Sequence, residues 1–227
     1  MTISNTSRIF VPYNEARPLI KEADVLLFRG QGCISNIIQR AGDGIYSHVG
    51  LASWHNHVGL DSILEITEFR EGYGGRTTSL FRAYKNDIND GIIDVYRAST
   101  PIKKLYFNPN TKLIEVIHIN FNARAVTNYM RNLTGLPYGW SRIWWIATHK
   151  MFGFRLFYNK NVDSDDSVKL DVDKIYPVCS TAVAACFSSI GYDLIPHKSD
   201  EWTEPSALSR SAHLNYLFTI TKAEEGA

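Results

Sequence analysis

The feature that most constrains the fold is a change in hydrophobic period partway along the chain. Up to about residue 97 the apolar stretches are short and strand-like. Ala23–Gly30 (ADVLLFRG) is a brief apolar run closed by glycine, Ser47–Trp54 and Ile63–Phe69 alternate, and Gly91–Arg97 (GIIDVYR) repeats the pattern. One helical run interrupts them: Ile34, Ile37, Ile38 and Ala41 recur at helical spacing before Gly42-Asp43-Gly44. Residues 55–61 read as a turn, and Gly72–Asp90, glycine-rich and polar, reads as irregular. From residue 121 the period becomes helical, with Val126, Tyr129, Met130 and Leu133 on one face. Trp140, Ile143, Trp144, Ala147 and Met151 line a second face, and Cys179, Val183, Cys186 and Ile190 a third that stops at Gly191. Strands first and helices around a late strand or two predict an α+β architecture rather than alternating βαβ units.

Size and charge narrow the class. A chain of 227 residues, 44% hydrophobic and 12% aromatic, suits one domain with a substantial core. A net charge of +1 gives no long-range attraction for nucleic acid or an anionic membrane. No window approaches the roughly 18 apolar residues that span a bilayer, and the first residues lack the pattern of a secretory signal. Three scattered cysteines, Cys33, Cys179 and Cys186, fit free thiols in a reducing, cytoplasmic setting without a disulfide, although release by lysis or within a particle is compatible too. Nothing in the sequence indicates an oligomeric state.

A catalytic cysteine needs a base within reach and donors for a developing oxyanion. Cys179 follows Tyr176-Pro177-Val178 and opens a helix, whose exposed N–H groups favour a thiolate and can hold an oxyanion. Its neighbours at i+4 and i+7 point inward. Cys186, mid-helix, reads as a packed thiol, and nothing near Cys33 would activate it. The plainer reading of Cys179 alone is a small buried hydrophobe.

Among seven histidines, His48 stands in Tyr46-Ser-His-Val-Gly-Leu-Ala52, where alternation shares its face with Gly50 and Ala52. Those small residues leave space for another element to approach the imidazole. Glu65, on the following strand, is placed to orient the ring. Glu68 competes for that role but falls on the opposite face from Glu65. A strand histidine that merely satisfies a polar contact is the alternative.

Other motifs carry less. His55 and His57 lack partners at zinc spacing. The acidic stretch with Asp163, Asp165, Asp166, Asp171 and Asp173 lacks the glycine of an EF-hand and reads as a solvated loop. Gly72–Gly75 is not a phosphate loop, and no Gly-x-Ser-x-Gly elbow occurs. No cofactor or metal is expected.

Taken in order, Asp24-Val-Leu-Leu-Phe-Arg-Gly30, Tyr46-Ser-His-Val-Gly-Leu51, Leu64-Glu65-Ile66, Asp94-Val-Tyr-Arg97, Gly135-Leu-Pro-Tyr-Gly139, Tyr176-Pro-Val-Cys-Ser180 and Glu204-Pro-Ser-Ala-Leu208 resemble the YiiX-like permuted papain-like enzymes. These are relatives of the NlpC-type peptidases and of the lecithin–retinol acyltransferase group. The resemblance spans roughly residues 22–220. It implies a permuted papain-like fold in which an antiparallel sheet packs against the nucleophile's helix, with histidine early and cysteine late.

Carried over, Cys179 is the nucleophile, His48 the general base, Glu65 the orienting group and Tyr138 a residue lining the substrate site. The implied layout is an N-terminal extension over 1–21, a catalytic domain over 22–220 with an insertion within 140–173, and a tail over 221–227. Two departures stand out: the family's Gly-Asp is Ala23-Asp24 here, and its Tyr-Asp is Tyr138-Gly139, which removes that aspartate.

Three functions follow as expectations. The first is amide hydrolysis of a peptide, isopeptide or peptidoglycan-like substrate. The second is a lipid-directed thioesterase or acyltransferase, with Trp140, Trp144 and Trp145 as an acyl wall. The third is a non-catalytic binding module of the same fold.

Overall fold

The computed structural model describes residues 8–30, 33–56, 62–139, 177–196, 199–200 and 203–222. Strands β1 (Phe10–Pro12), β2 (Val25–Phe28), β3 (His48–His55), β4 (Ile63–Arg70), β5 (Gly74–Ser79), β6 (Ile93–Ala98) and β9 (Leu214–Thr221) form one sheet in the order β1-β9-β6-β2-β3-β4-β5. Every pairing is antiparallel except β1 with β9. Strands β7 (Ile102–Asn108) and β8 (Leu113–Ile119) pair as a separate hairpin. The fold is thus mixed α+β with a large, mostly antiparallel sheet. Among the described residues no helix is long and apolar enough to cross a membrane.

Each face of the sheet carries its own core. On one face lie α4 (Ala123–Asn132) and α5 (Cys179–Ser188), packed on Val25, Leu27, Val49, Leu51 and Phe69. Helix α5 is buried from Cys179 to Phe187, so it is apolar nearly all round rather than amphipathic, as a helix enclosed on all sides must be. On the other face α1 (Tyr13–Leu19) and α3 (Leu80–Asn89) cover Leu26, Phe28, Ala52, Ile66 and Val95. Two further helices are α2 (Cys33–Ala41) and α6 (Pro205–Ser209), the latter in contact with α5 and β9.

Three findings differ from the sequence expectations. Residues 8–21 are not set apart as an extension: β1 pairs with β9, and Ala16 and Ile20 are buried in the second core. The stretch 72–90 is not irregular either. It forms β5, an edge strand too polar to show alternation, and α3, whose Leu80, Tyr84 and Ile88 are buried at four-residue spacing. Ser79 caps α3, accepting a hydrogen bond from the Arg82 amide. Finally, residues 102–119, left unassigned by the sequence, form the hairpin.

The departure at Ala23 has a visible cost. Its φ of +63° lies in the left-handed region that favours glycine, a strain of about 1 kcal/mol. Asp24, which follows, is anchored by a bidentate Arg97, with both contacts at 2.7 Å.

Candidate functional site

The site lies at the end of the sheet where β3 begins and α5 begins. Register decides which residues meet there. In the β3–β4 ladder Gly50 pairs with Glu68 and Ser53 with Glu65. His48, Gly50 and Ala52 therefore share a face with Glu68 and Ile66, while Glu65 points to the other face. Glu65 lies 3.5 Å from Arg131 on α4 and does not reach the imidazole. The orienting role assigned to Glu65 is corrected accordingly: the carboxylate at His48 is Glu68. Alternation within each strand was read properly. Pairing across the two strands depends on their register, which neither strand's own pattern fixes. Gly50 also leaves no open space beside the ring, because a Cβ there would fall 2.6 Å from the Ile66 side chain.

Glu68 is fully buried yet fully engaged. Its Oε2 lies 2.6 Å from His48 Nε2 and accepts a hydrogen bond from the Tyr84 hydroxyl. Its Oε1 accepts two from Arg76, Nε at 2.9 Å and Nη2 at 2.7 Å. A buried carboxylate survives only with such partners. Arg76 comes from β5 and Tyr84 from α3, the segment that read as irregular, so neither was singled out from sequence. The Leu80/Tyr84/Ile88 spacing behind a serine cap was the signal available.

The thiol arrives from the opposite face. Cys179 is the first residue of α5 and is 3% exposed. The turn ahead of it is fixed by the Val178 amide donating to Thr181 Oγ1 at 2.9 Å and by Ser180 Oγ donating to the Thr203 carbonyl at 2.6 Å. Cys179 lies close enough to the His48 ring to help raise its pKa. Since Nε2 faces Glu68, Nδ1 is the nitrogen left for sulfur. The N–H groups of the first turn precede the intrahelical ladder and are available to a ligand oxygen.

Tyr138 reaches the same sulfur. Gly74 and Gly75 on β5 let the 133–137 backbone approach closely: Gly75 donates to the Leu136 carbonyl at 2.9 Å and Gly135 to Gly75 at 2.8 Å. Gly139 then donates to Pro177 at 3.2 Å, tying this loop to the residues that open α5. Burial, together with the charges of Cys179 and Glu71 and the interaction with Cys179, pushes the Tyr138 pKa upward, so the phenol keeps its proton.

Electrostatics favour a charged pair. Burial works to lower the His48 pKa. The charge of Glu68, hydrogen bonds to Cys179 and Glu68, and the charge of Cys179 outweigh it and raise the pKa to about 10. Burial works to raise the Glu68 pKa, and the His48 charge with hydrogen bonds from His48, Tyr84 and Arg76 instead lowers it to about 2. Cys186 packs with its sulfur 3.4 Å from Met130 Sδ, and burial raises its pKa well above the usual thiol value.

A cleft of about 190 Å³ opens beside His48, bounded by Phe28, Tyr84, Tyr138, Arg70 and Asp87. Among the described residues no group of three or more His, Cys, Asp or Glu could hold a metal ion. Trp140, Trp144, Trp145, the proposed insertion, His57 and the acidic stretch at 163–173 lie outside the described residues.

No protein-family model matches the chain, and no curated protein matches it. Among solved structures it is similar to the crystal structure of metalloprotein yiiX from Escherichia coli O157:H7. That similarity has 14% identity and a TM-score of 0.46, and covers 88% of this chain and 98% of that one. This likeness is too loose to bear on chemistry.

Proposed function

We propose that the protein is a cysteine-dependent amide hydrolase of permuted papain-like fold, with Cys179 as nucleophile, His48 as acid and base, and Glu68 as the group that orients His48. The observation that carries this reading is one imidazole shared between a buried carboxylate and a thiol at a helix start. In the reaction, the Cys179 thiolate attacks the amide carbon, forming a C–S bond, while the oxyanion takes hydrogen bonds from the first-turn N–H groups of α5. Collapse breaks the C–N bond as the His48 imidazolium gives its proton to the leaving amine. The neutral imidazole then takes a proton from water, hydroxide adds to the thioester, and the C–S bond breaks to restore the ion pair.

Charged groups in the cleft, Arg70, Glu71 and Asp87, favour a polar substrate over a lipid acyl chain. The substrate is a peptide, isopeptide or peptidoglycan-like amide, and three scattered cysteines favour a reducing, cytoplasmic setting.

Iodoacetamide at mildly acidic pH, followed by peptide mass spectrometry, tests the assignment. Cys179 is expected to be alkylated before Cys33 and Cys186, because rate follows thiolate fraction and access. Preferential labelling of either other cysteine would remove the nucleophile.

A further inference from the structure

The cleft beside His48 holds an unusual arrangement of charge. Arg70, at the end of β4, rests over the Tyr84 ring with its guanidinium carbon 4.9 Å from the centroid. Asp87, on α3, faces the same cleft, and its carboxyl is raised by burial and partly offset by the charge of Arg70. Among the described residues, neither Arg70 nor Asp87 forms an ion pair or a hydrogen bond with another side chain. They feel each other's charge without closing on each other. Glu71 adds a second carboxylate on the Tyr138 side. Arg70, Glu71 and Asp87, all partly buried, thus set opposite charges around one cleft, and a ligand carrying both charges would complete them.

We propose that this cleft receives an amino-acid zwitterion, an ammonium and a carboxylate on one carbon, at the end of the substrate processed by Cys179. Arg70 donates to the ligand carboxylate, and Asp87, helped by Glu71, accepts from its ammonium. An anion alone would face two carboxylates, a cation alone would face Arg70, and an apolar group would bury three charges. The volume suits one residue, being smaller than the roughly 300–1,000 Å³ typical of drug-sized sites. The proposal rests on the hydrolase reading for its place in a reaction, but not for the binding itself.

The test titrates the full chain with D- and L-alanine, alaninamide, which lacks the carboxylate, and N-acetylalanine, which lacks the ammonium. Binding is followed by ligand-observed saturation-transfer NMR, and separately by protection of Cys179 from iodoacetamide. One enantiomer of alanine should bind about tenfold or more tighter than either blocked compound, the value of one lost charge-assisted contact. Arg70→Gln should erase the preference over alaninamide alone, and Asp87→Asn the preference over N-acetylalanine alone. Equal binding of all compounds, binding of none, or preferences unmoved by both variants would overturn the proposal. Unprotected alkylation of Cys179 tests the nucleophile, and the NMR signal does not involve the thiol, so the two failures read separately.

Discussion

Two fully buried carboxylates, Glu68 and Asp94, are solved by the same chemistry and yet differ in what they can do. Each binds an arginine and a tyrosine hydroxyl. Asp94 accepts from Tyr46 at 2.6 Å and from Thr219 at 2.6 Å, with Arg29 Nε at 3.2 Å. Glu68 accepts from Tyr84 and from Arg76, but its remaining contact is His48. Arginine and a hydroxyl held upward in pKa, as burial and then the Asp94 charge hold Tyr46, keep one protonation state across the neutral range. A histidine does not. Burial of charge is thus common to a structural clamp and a candidate active site. The distinguishing marks are a partner that can change protonation, and a second contact from that partner to a nucleophile beside a cleft.

The comparison breaks most sharply by substitution. His48→Ala should slow alkylation of Cys179 at mildly acidic pH by about 10²-fold or more, the usual range for a lost acid–base partner. It should also lower the melting temperature, because the charged imidazole and Glu68 stabilise each other. Asp94→Ala should cost stability without the kinetic loss. It removes the acceptor shared by Arg29 and the buried Tyr46 and Thr219 hydroxyls, a loss of about 3–5 kcal/mol in a urea melt, with the Cys179 alkylation rate of the folded protein unchanged. A parallel loss of both properties in both variants would mean the clusters are one network.

A smaller effect is expected in the dependence of stability on pH. Glu68 is held at about 2, below its ordinary 4.5, so its contribution is present above about 4.5 and lost as pH falls through about 2. His48 is held at about 10, above its ordinary 6.5, so its contribution is full below about 6.5 and lost as pH rises through about 10. Denaturant melts from pH 3 to 10 should therefore show a plateau between these limits, in roughly the range set by the ordinary values. His48→Ala should flatten the alkaline limb, and Asp94→Asn should leave that limb in place. An alkaline limb that survives loss of the imidazole belongs to another group.

The smallest effect sharpens the choice between neighbouring glutamates. Glu65→Gln removes only a 3.5 Å contact with the partly exposed Arg131, and should change stability by no more than about 0.5 kcal/mol. It should leave the His48 NMR titration where it was. Glu68→Gln should move that titration downward, because the charge that most raises the imidazole pKa is gone. A His48 curve that shifts with Glu65 and not with Glu68 would reverse the register on which the site rests.

The sequence alone determined what is local. Short apolar runs marked β2 and β6, and alternation marked β3 and β4; helical spacing and terminal glycines marked α2, α4 and α5. The same reading placed Cys179 at a helix start and His48 on a strand. Such patterns are legible because each is imposed by one element's own period and by its burial on one side. Only the tertiary structure decided the rest. Whether Glu65 or Glu68 meets His48 depends on pairing between two strands, a shift that exchanges faces without altering either strand's pattern. Arg76 and Tyr84 reach Glu68 from an edge strand and a kinked helix whose sequences carry weak signals. Tyr138 reaches Cys179 because the 133–139 loop docks on two glycines of β5 and on Pro177. Those contacts join residues distant in sequence, so packing of the whole sheet selects them, and no local period records them.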